Sequence, residues 1–403
     1  MTSSPQPADD GSDSGEELAH YLRCVRDLSP QLAGAGEQIE RARRIPESLL
    51  AGMIEAGLFR MLIPRTFGGG EANPLTFMRV VEEIAKIDAS PAWNVGQNAV
   101  CAIVSAYLEP KVAQQIFGNP RTILAWGPPD PGTRAVVEDG GYRVSGSWSF
   151  ASGGRHATWL GAYCPIHEAD GTPRRSASGD IVRRVLLVPA EQVAMTDIWH
   201  VMGLRGTASD AFRVNDLHVP HEYTVMRDDL SEVREPGWLY AFKTTNLYSC
   251  GFASIAIGVA RTMLDTFLRL AMEKTPRGYS SSLRENAATQ SDLATAEARL
   301  RAARAYLFQT VSDICDEVQR SGGLTMEQRM AIRLATTHAI REAVRVGDFA
   351  YEAAGATAIF TANAFERRFR DLHTIVQQIQ GRKSNYQTVG KFMLGLEADT
   401  LFL

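Results

Sequence analysis

Between Gly146 and Trp159 the chain reads GSWSFASGGRHATW, a run holding two Trp, a Phe, three Gly, four Ser or Thr and a His. Residue types like these can serve a flat aromatic ligand. Trp148 and Phe150, two apart on a strand, would share a face and wall a ring, while Gly153 and Gly154 let backbone approach it closely. The same run also describes a strand edge followed by a glycine turn, and the residues alone leave both readings open. Other chemistries find no footing. The eight His show neither HxxxH nor HxH spacing, so no metal site is expected. No GxSxG announces a nucleophile, and no GxGxxG follows a strand, so no nicotinamide-binding domain is expected. Five Cys without a CxxC pair suggest a reducing cytoplasm rather than a disulfide framework.

These side chains must be held by elements of three kinds. The 403 residues carry 45% hydrophobic and 22% charged residues with a net charge of −4, a soluble composition with no general affinity for nucleic acid or anionic membrane. No apolar run is expected to span a bilayer, and the acidic start MTSSPQPADDGSDSGEE lacks a signal-peptide pattern. Residues 1–15 are expected to be a disordered tail. Residues 16–119 read as an N-terminal helical domain, with RIPESLLAGMIEAGLFRML at helical spacing and Gly57 at a helix end. In residues 120–236, short β-prone runs alternate with turn signals about every 8–12 residues, which predicts a central antiparallel β-barrel or sandwich. Residues 237–403 hold long alanine-rich helices, the pattern of a C-terminal four-helix bundle. The fold class is therefore α+β, ordered helical, β, helical.

That order, with four motifs, resembles the acyl-CoA dehydrogenase superfamily. The motifs are RIPESLLAGMIEAGLFRMLIPRTFGG, GYRVSGSWSFASG, MGLRGTASDAFRVNDLHVP and FERRFRDLHTIVQQIQGR, and the match covers nearly the whole chain after about Glu16. The resemblance implies a flavin between the β domain and the bundle, usually in a homotetramer. The dehydrogenase reaction also requires a carboxylate base for the α-proton. Here Gln380-Gly381 stands where the family has Glu-Gly, no Asp or Glu occurs between Asp371 and Glu397, and Pro236–Thr262 has none either. WGPPDPGTRAVV also replaces the TEP…GSD stretch of the dehydrogenases.

What is left resembles the group D, two-component flavin-dependent monooxygenases. These use reduced FAD or FMN from a separate NAD(P)H:flavin reductase, and O2, to form a C4a-hydroperoxide that oxygenates a small aromatic substrate. By similarity Ser152 has its hydroxyl or amide near flavin N5/C4a, with Trp148, Phe150, Ala151 and Gly153 beside the ring. His373 matches a histidine common in these enzymes; the second His of the pattern, five residues on, is Gln378 here. Trp93 resembles the substrate-side wall, with Ser90-Pro91-Ala92 expected to end a helix and Gln97 one turn on. His200 and Arg205 are similar to a segment beside the flavin. Arg277 and Gln290 fall where a neighbouring subunit contacts the flavin's phosphates or adenine. His156 is read as a packing or turn residue. Trp93, Trp126 and Trp148 together favour an indole- or phenol-like substrate. The alternatives are an acyl-CoA dehydrogenase or oxidase with a relocated base, a nitrogen or sulfur oxygenase, and a helical scaffold that has lost its flavin.

Overall fold

The computed structural model describes residues 10–400, with the backbone alone for 10–14. It opens with six helices: α1 (Asp10–Gly34), α2 (Gly36–Ala42), α3 (Glu47–Glu55), α4 (Pro74–Ile87), α5 (Ala89–Ala102) and α6 (Pro110–Phe117). Residues 1–9 of the expected tail lie outside the described residues; from Asp10 the chain is already helical. The caps explain where these helices start. The Asn73 side chain accepts the Leu75 N–H at 2.8 Å with Pro74 in the first position, and Asp88 does the same for Ser90 at 2.9 Å. Ser90-Pro91-Ala92 therefore opens α5 instead of ending a helix, which corrects the expectation. A proline in the first turn removes only an N–H that has no helical acceptor.

Eight strands follow: β1 (Leu124–Trp126), β2 (Arg134–Glu138), β3 (Gly141–Ala151), β4 (Trp159–His167), β5 (Arg183–Pro189), β6 (Ala194–Thr196), β7 (Asp210–Pro220) and β8 (Thr224–Val225). They pair in the order β6-β7-β3-β2-β4-β5-β8, with β1 also on β4. Most pairs are antiparallel, but β1–β4 and β2–β4 are parallel, so the sheet is mixed. Turn signals report reversals between neighbours in sequence, whereas these two pairings join strands far apart, which the signals do not encode. Trp148, Phe212, Tyr142, Val144, Leu160 and Ile166 form the core of this layer.

The C-terminal block is α7 (Thr244–Glu273), α8 (Ala287–Ser321), α9 (Met326–Ala354), α10 (Ala364–Ile375) and α11 (Ser384–Met393). Three long helices and the shorter α10 make the bundle, and α7 packs on both α9 and the N-terminal α4. One continuous apolar core joins the two helical blocks. Glu82 of α4, 2% exposed, pins them together through a two-point ion pair with Arg304 of α8 at 2.7 and 2.8 Å. α7 is long and apolar enough by composition to cross a bilayer, but 89% of its most apolar stretch is buried among the other helices.

Candidate active site

A bulge in β3 decides which way its aromatics face. The register against β7 slips between Trp148 and Ala151, and Phe150 takes a φ of 58°. Trp148 points into the sheet core, fully buried. It stacks on Phe212 at 4.9 Å and donates its Nε1–H to the Tyr163 carbonyl at 3.0 Å. Phe150 turns the other way, 57% exposed and edge-on to Trp199. Trp148 is thus a core residue and no ligand wall, which corrects the expectation; alternation of faces fails where an extra residue is inserted. Phe150 keeps a free ring face.

Beyond the bulge, Ser152 enters a chain of hydroxyls. Trp93 of α5 donates its Nε1–H to Ser152 Oγ at 3.1 Å, Ser152 Oγ lies 2.7 Å from Ser209 Oγ, and Ser209 Oγ lies 2.7 Å from Thr207 Oγ1. Thr207 in turn donates to the Leu204 carbonyl at 2.9 Å. Both ends fix the direction, since an indole N–H can only donate and a carbonyl can only accept. Each hydroxyl has one proton, so Thr207 gives its own to Leu204, Ser209 to Thr207, and Ser152 to Ser209. The Ser152 amide is engaged too, with Phe150 O at 2.9 Å. What Ser152 has left to offer a ligand is a lone pair.

The surroundings hold this chain in place. Asn98 donates to the Ser152 and Leu124 carbonyls at 3.0 and 3.1 Å, and its Oδ1 is buried without a partner. Gly153 has a φ of 77°, and a Cβ there would sit 2.3 Å from that oxygen, so only glycine fits. Leu204 and Ala208 flank the relay in left-handed conformations, φ 51° and 47°, a strained pair of the kind found at functional sites. The Asp371 carboxylate of α10 fastens this loop by accepting the Leu204 N–H at 2.6 Å. Burial pushes the Asp371 carboxyl up to about 6, against the pull of that bond and of Arg367.

On the far side of Trp93 the rings continue. Trp93 stacks on Phe252 of α7 at 3.9 Å, and Phe252 on Tyr248 at 5.6 Å. Gln97 donates to the Tyr248 hydroxyl at 3.2 Å, and Cys101 Sγ is also 3.2 Å from it. Burial raises the Tyr248 phenol well above its usual value and the Cys101 thiol to about 12, so both are neutral.

The remaining expected residues are scattered. His373 lies on α10 two positions after Asp371, but its Nε2 pairs with Asp348 of α9 at 2.8 Å and its ring packs on Phe369 at 4.3 Å. Asp348 was not anticipated, since nothing in sequence links positions 25 apart on two helices. Gln378 caps the turn 379–381, its Oε1 accepting the Gln380 N–H at 2.6 Å. That local bond uses its amide oxygen. Arg205 opens the short turn of the relay loop, with a buried Nε that has no partner. His200 is 68% exposed, 3.4 Å from Asp197. Asp197 is held down at about 2, chiefly by its hydrogen bonds from Arg43. Arg277 and Gln290 are exposed on the bundle beside a cavity of about 430 Å³ lined by Tyr279, Ser282, Asn286 and Phe349. His156 accepts the Ile45 N–H at 3.2 Å, and burial lowers its imidazole to about 4, as fits a packing residue.

A flavin suits these groups. Its ring needs a flat apolar face, which Phe150 beside Trp199 offers, and polar atoms with spare capacity, which Ser152 Oγ, Asn98 Oδ1 and Arg205 Nε offer. Among the described residues no group of His, Cys, Asp and Glu converges to hold a metal.

Known proteins resemble this chain in sequence and in fold. The family models "Acyl-CoA dehydrogenase, N-terminal domain" and "Acyl-CoA dehydrogenase, C-terminal domain" match residues 24–117 and 250–380. The indole-3-acetate monooxygenase of Acinetobacter baumannii is 29% identical over 91% of both chains. The FADH(2)-dependent resorcinol hydroxylase, oxygenase component, of a Rhizobium species is 27% identical over 98% of both. In fold, XiaF from Streptomyces, solved with FADH2 and glycerol, superposes with a TM-score of 0.90 at 21% identity, covering 98% of this chain and 100% of its own.

Proposed function

This chain belongs to the acyl-CoA dehydrogenase superfamily, and from that premise we propose that it is the oxygenase component of a two-component flavin-dependent monooxygenase. Its reactants are reduced FAD or FMN delivered by a separate NAD(P)H:flavin reductase, O2, and a small indole- or phenol-like compound. When bound, the reduced flavin supplies two electrons to O2, so that one oxygen atom enters the aromatic compound and the other leaves as water. The full-length relatives named above, both aromatic-compound oxygenases by name, support this reading.

The chain's own residues take definite parts. Ser152 would accept a hydrogen bond from the flavin ring, with Gly153 giving backbone access and Phe150 an apolar face. The Trp93–Phe252–Tyr248 stack would seat the aromatic compound and keep water out, since all three rings are buried. Asp348 orients the His373 imidazole through its contact with Nε2 at 2.8 Å, and His373 would act near the flavin or substrate. Arg205 would stand beside the flavin, and Arg277 and Gln290 of a neighbouring copy would hold its phosphates or adenine. A homotetramer belongs to this reading. The exposed Ile359, Phe360 and Leu394, at 61%, 60% and 77%, support a further interface. So does a cytoplasmic setting, with five free cysteines.

The observation that carries the reading is the one-way relay, which ends on Ser152 beside buried rings and, among the described residues that form it and the stack, includes no carboxylate. An acyl-CoA dehydrogenase would need a base there. The test supplies reduced flavin and 18O2 with a panel of indoles and phenols. One 18O atom per product molecule is expected, and anaerobic acyl-CoA should leave the oxidised flavoprotein coloured. Bleaching by acyl-CoA without 18O incorporation overturns the reading.

A further inference from the structure

Residues 365–373, FERRFRDLH, form most of α10, and this helix holds the relay loop by three consecutive residues. The Arg370 guanidinium donates to the Met202 carbonyl. Gly203 lies against the Arg370 carbonyl so closely that any Cβ would overlap its oxygen. Asp371, buried, accepts the Leu204 N–H at 2.6 Å. Four residues before it, Arg367 pairs with Asp88, whose other carboxylate oxygen caps α5 at Ser90. Positions four apart share a helix face. One face of α10 therefore reaches both the helix that carries Trp93 and the loop on which the relay ends.

Leu204 is the node of this arrangement. Its carbonyl takes three donors: the Thr207 hydroxyl at 2.9 Å, the Thr207 N–H at 3.1 Å and the Trp199 indole N–H at 2.9 Å. The first sets the direction of every hydroxyl proton back to Ser152, and the last seats the ring beside Phe150. Leu204 presents this carbonyl from a left-handed backbone, φ 51°, which its Cβ disfavours. Such a conformation persists only where surrounding bonds over-determine it. Among the described residues the hydrogen-bond partner of the Leu204 N–H is Asp371.

We propose that Asp371 is a positioning residue for the flavin site: by fixing Leu204 it sets the direction of the relay, and so makes Ser152 select the reduced form of the flavin. This inference rests on the oxygenase reading above. Asp371 acts on Ser152 through Leu204, Thr207 and Ser209. Without its bond Leu204 relaxes to an ordinary backbone and its carbonyl leaves Thr207. The hydroxyl protons are then free to turn toward Ser152, which becomes able to donate as well as accept.

Anaerobic titration of the full-length protein with oxidised and reduced FAD and FMN gives two dissociation constants for each flavin, and their ratio is the readout. The wild type is expected to bind the reduced form more tightly. In Asp371→Ala that ratio should narrow about tenfold, equal to a fall of about 30 mV in the two-electron potential of the bound flavin. Asp371→Asn keeps an oxygen for the Leu204 N–H and should restore the wild-type ratio. A residue serving stability alone would weaken both constants together and leave their ratio unchanged. Asp371→Ala added to Ser209→Ala, where the relay is already cut, should narrow the ratio no further. Asp371→Leu fills the same space without an acceptor, and it takes the place of Asp371→Ala if that variant does not fold. The positioning role is overturned by a wild type indifferent to flavin redox state, or by an unchanged ratio in the Ala or Leu variant. An Asp371→Asn ratio as narrow as theirs, or full additivity with Ser209→Ala, overturns it too. A narrowed ratio without 18O incorporation would leave that role standing and sink the oxygenase reading; 18O incorporation with an unchanged ratio would do the reverse.

Discussion

Ser152 ends a row of hydroxyl protons that all point away from it, so its chemistry is that of an acceptor. Reduced flavin carries an N–H at N5 where oxidised flavin has a lone pair, and an accepting Ser152 suits the reduced form. Ser209→Ala would free the Ser152 proton to turn toward the ligand. The preference for reduced over oxidised flavin is then expected to narrow about tenfold, the worth of one hydrogen bond, as read from anaerobic titrations of both forms. Ser152→Ala should divert consumed O2 from product to H2O2, measured as the coupling ratio, and unchanged coupling would remove Ser152 from the chemistry. His156 gives a separate, acid-side prediction. Its folded value of about 4 lies below the ordinary 6.5, so the unfolded chain binds the extra proton between those values. Stability from this group is full above pH 6.5 and is lost as pH falls through 4, up to about 3 kcal/mol. His156→Gln keeps an acceptor for the Ile45 N–H without taking a proton, and should shift acid unfolding to lower pH.

Among the elements, α4 crosses α7 at close range behind the site. Gly258 of α7 approaches so closely that a Cβ would lie 2.4 Å from the Glu82 carbonyl oxygen, a backbone atom that moves only with its helix. Alanine would gain about 1 kcal/mol in helix propensity, but forcing the helices apart costs about 1–3 kcal/mol and shifts Glu82 from Arg304. Gly258→Ala is therefore expected to lower the denaturant midpoint without changing its slope; a rise in the midpoint would contradict the close crossing. The bulge in β3 is the other decisive element, because it separates Trp148, which packs the sheet, from Phe150, which stays open to a ligand.

For the whole molecule, the helical blocks share a core and the β layer has its own, with the relay at their junction. Apolar side chains exposed at the end of α11 and between α9 and α10 remain to be covered. Leu394→Asp, at a residue 77% exposed, places a charge in the proposed subunit interface. Sedimentation velocity should show a smaller species than the tetramer proposed for the wild type, with weaker flavin binding if Arg277 and Gln290 act across subunits. An unchanged tetramer would move the interface elsewhere.

Much was legible in the sequence because it depends on local pattern. Helical periodicity, turn spacing and four ordered motifs settled the helical–β–helical order and the family, and the vacant carboxylate positions spoke against a dehydrogenase. The pairing of Trp93 with Ser152 joins positions 59 apart, and the relay through Ser209 and Thr207 is equally invisible to spacing. Trp148 was misassigned since strand alternation has no term for a bulge, and the cap that Gln378 makes was invisible because it forms only once the 379–381 turn exists. Which residues exist to do chemistry was a matter of sequence; which of them still have a free lone pair or an unmatched charge was decided by folding, since that depends on every neighbour brought within reach.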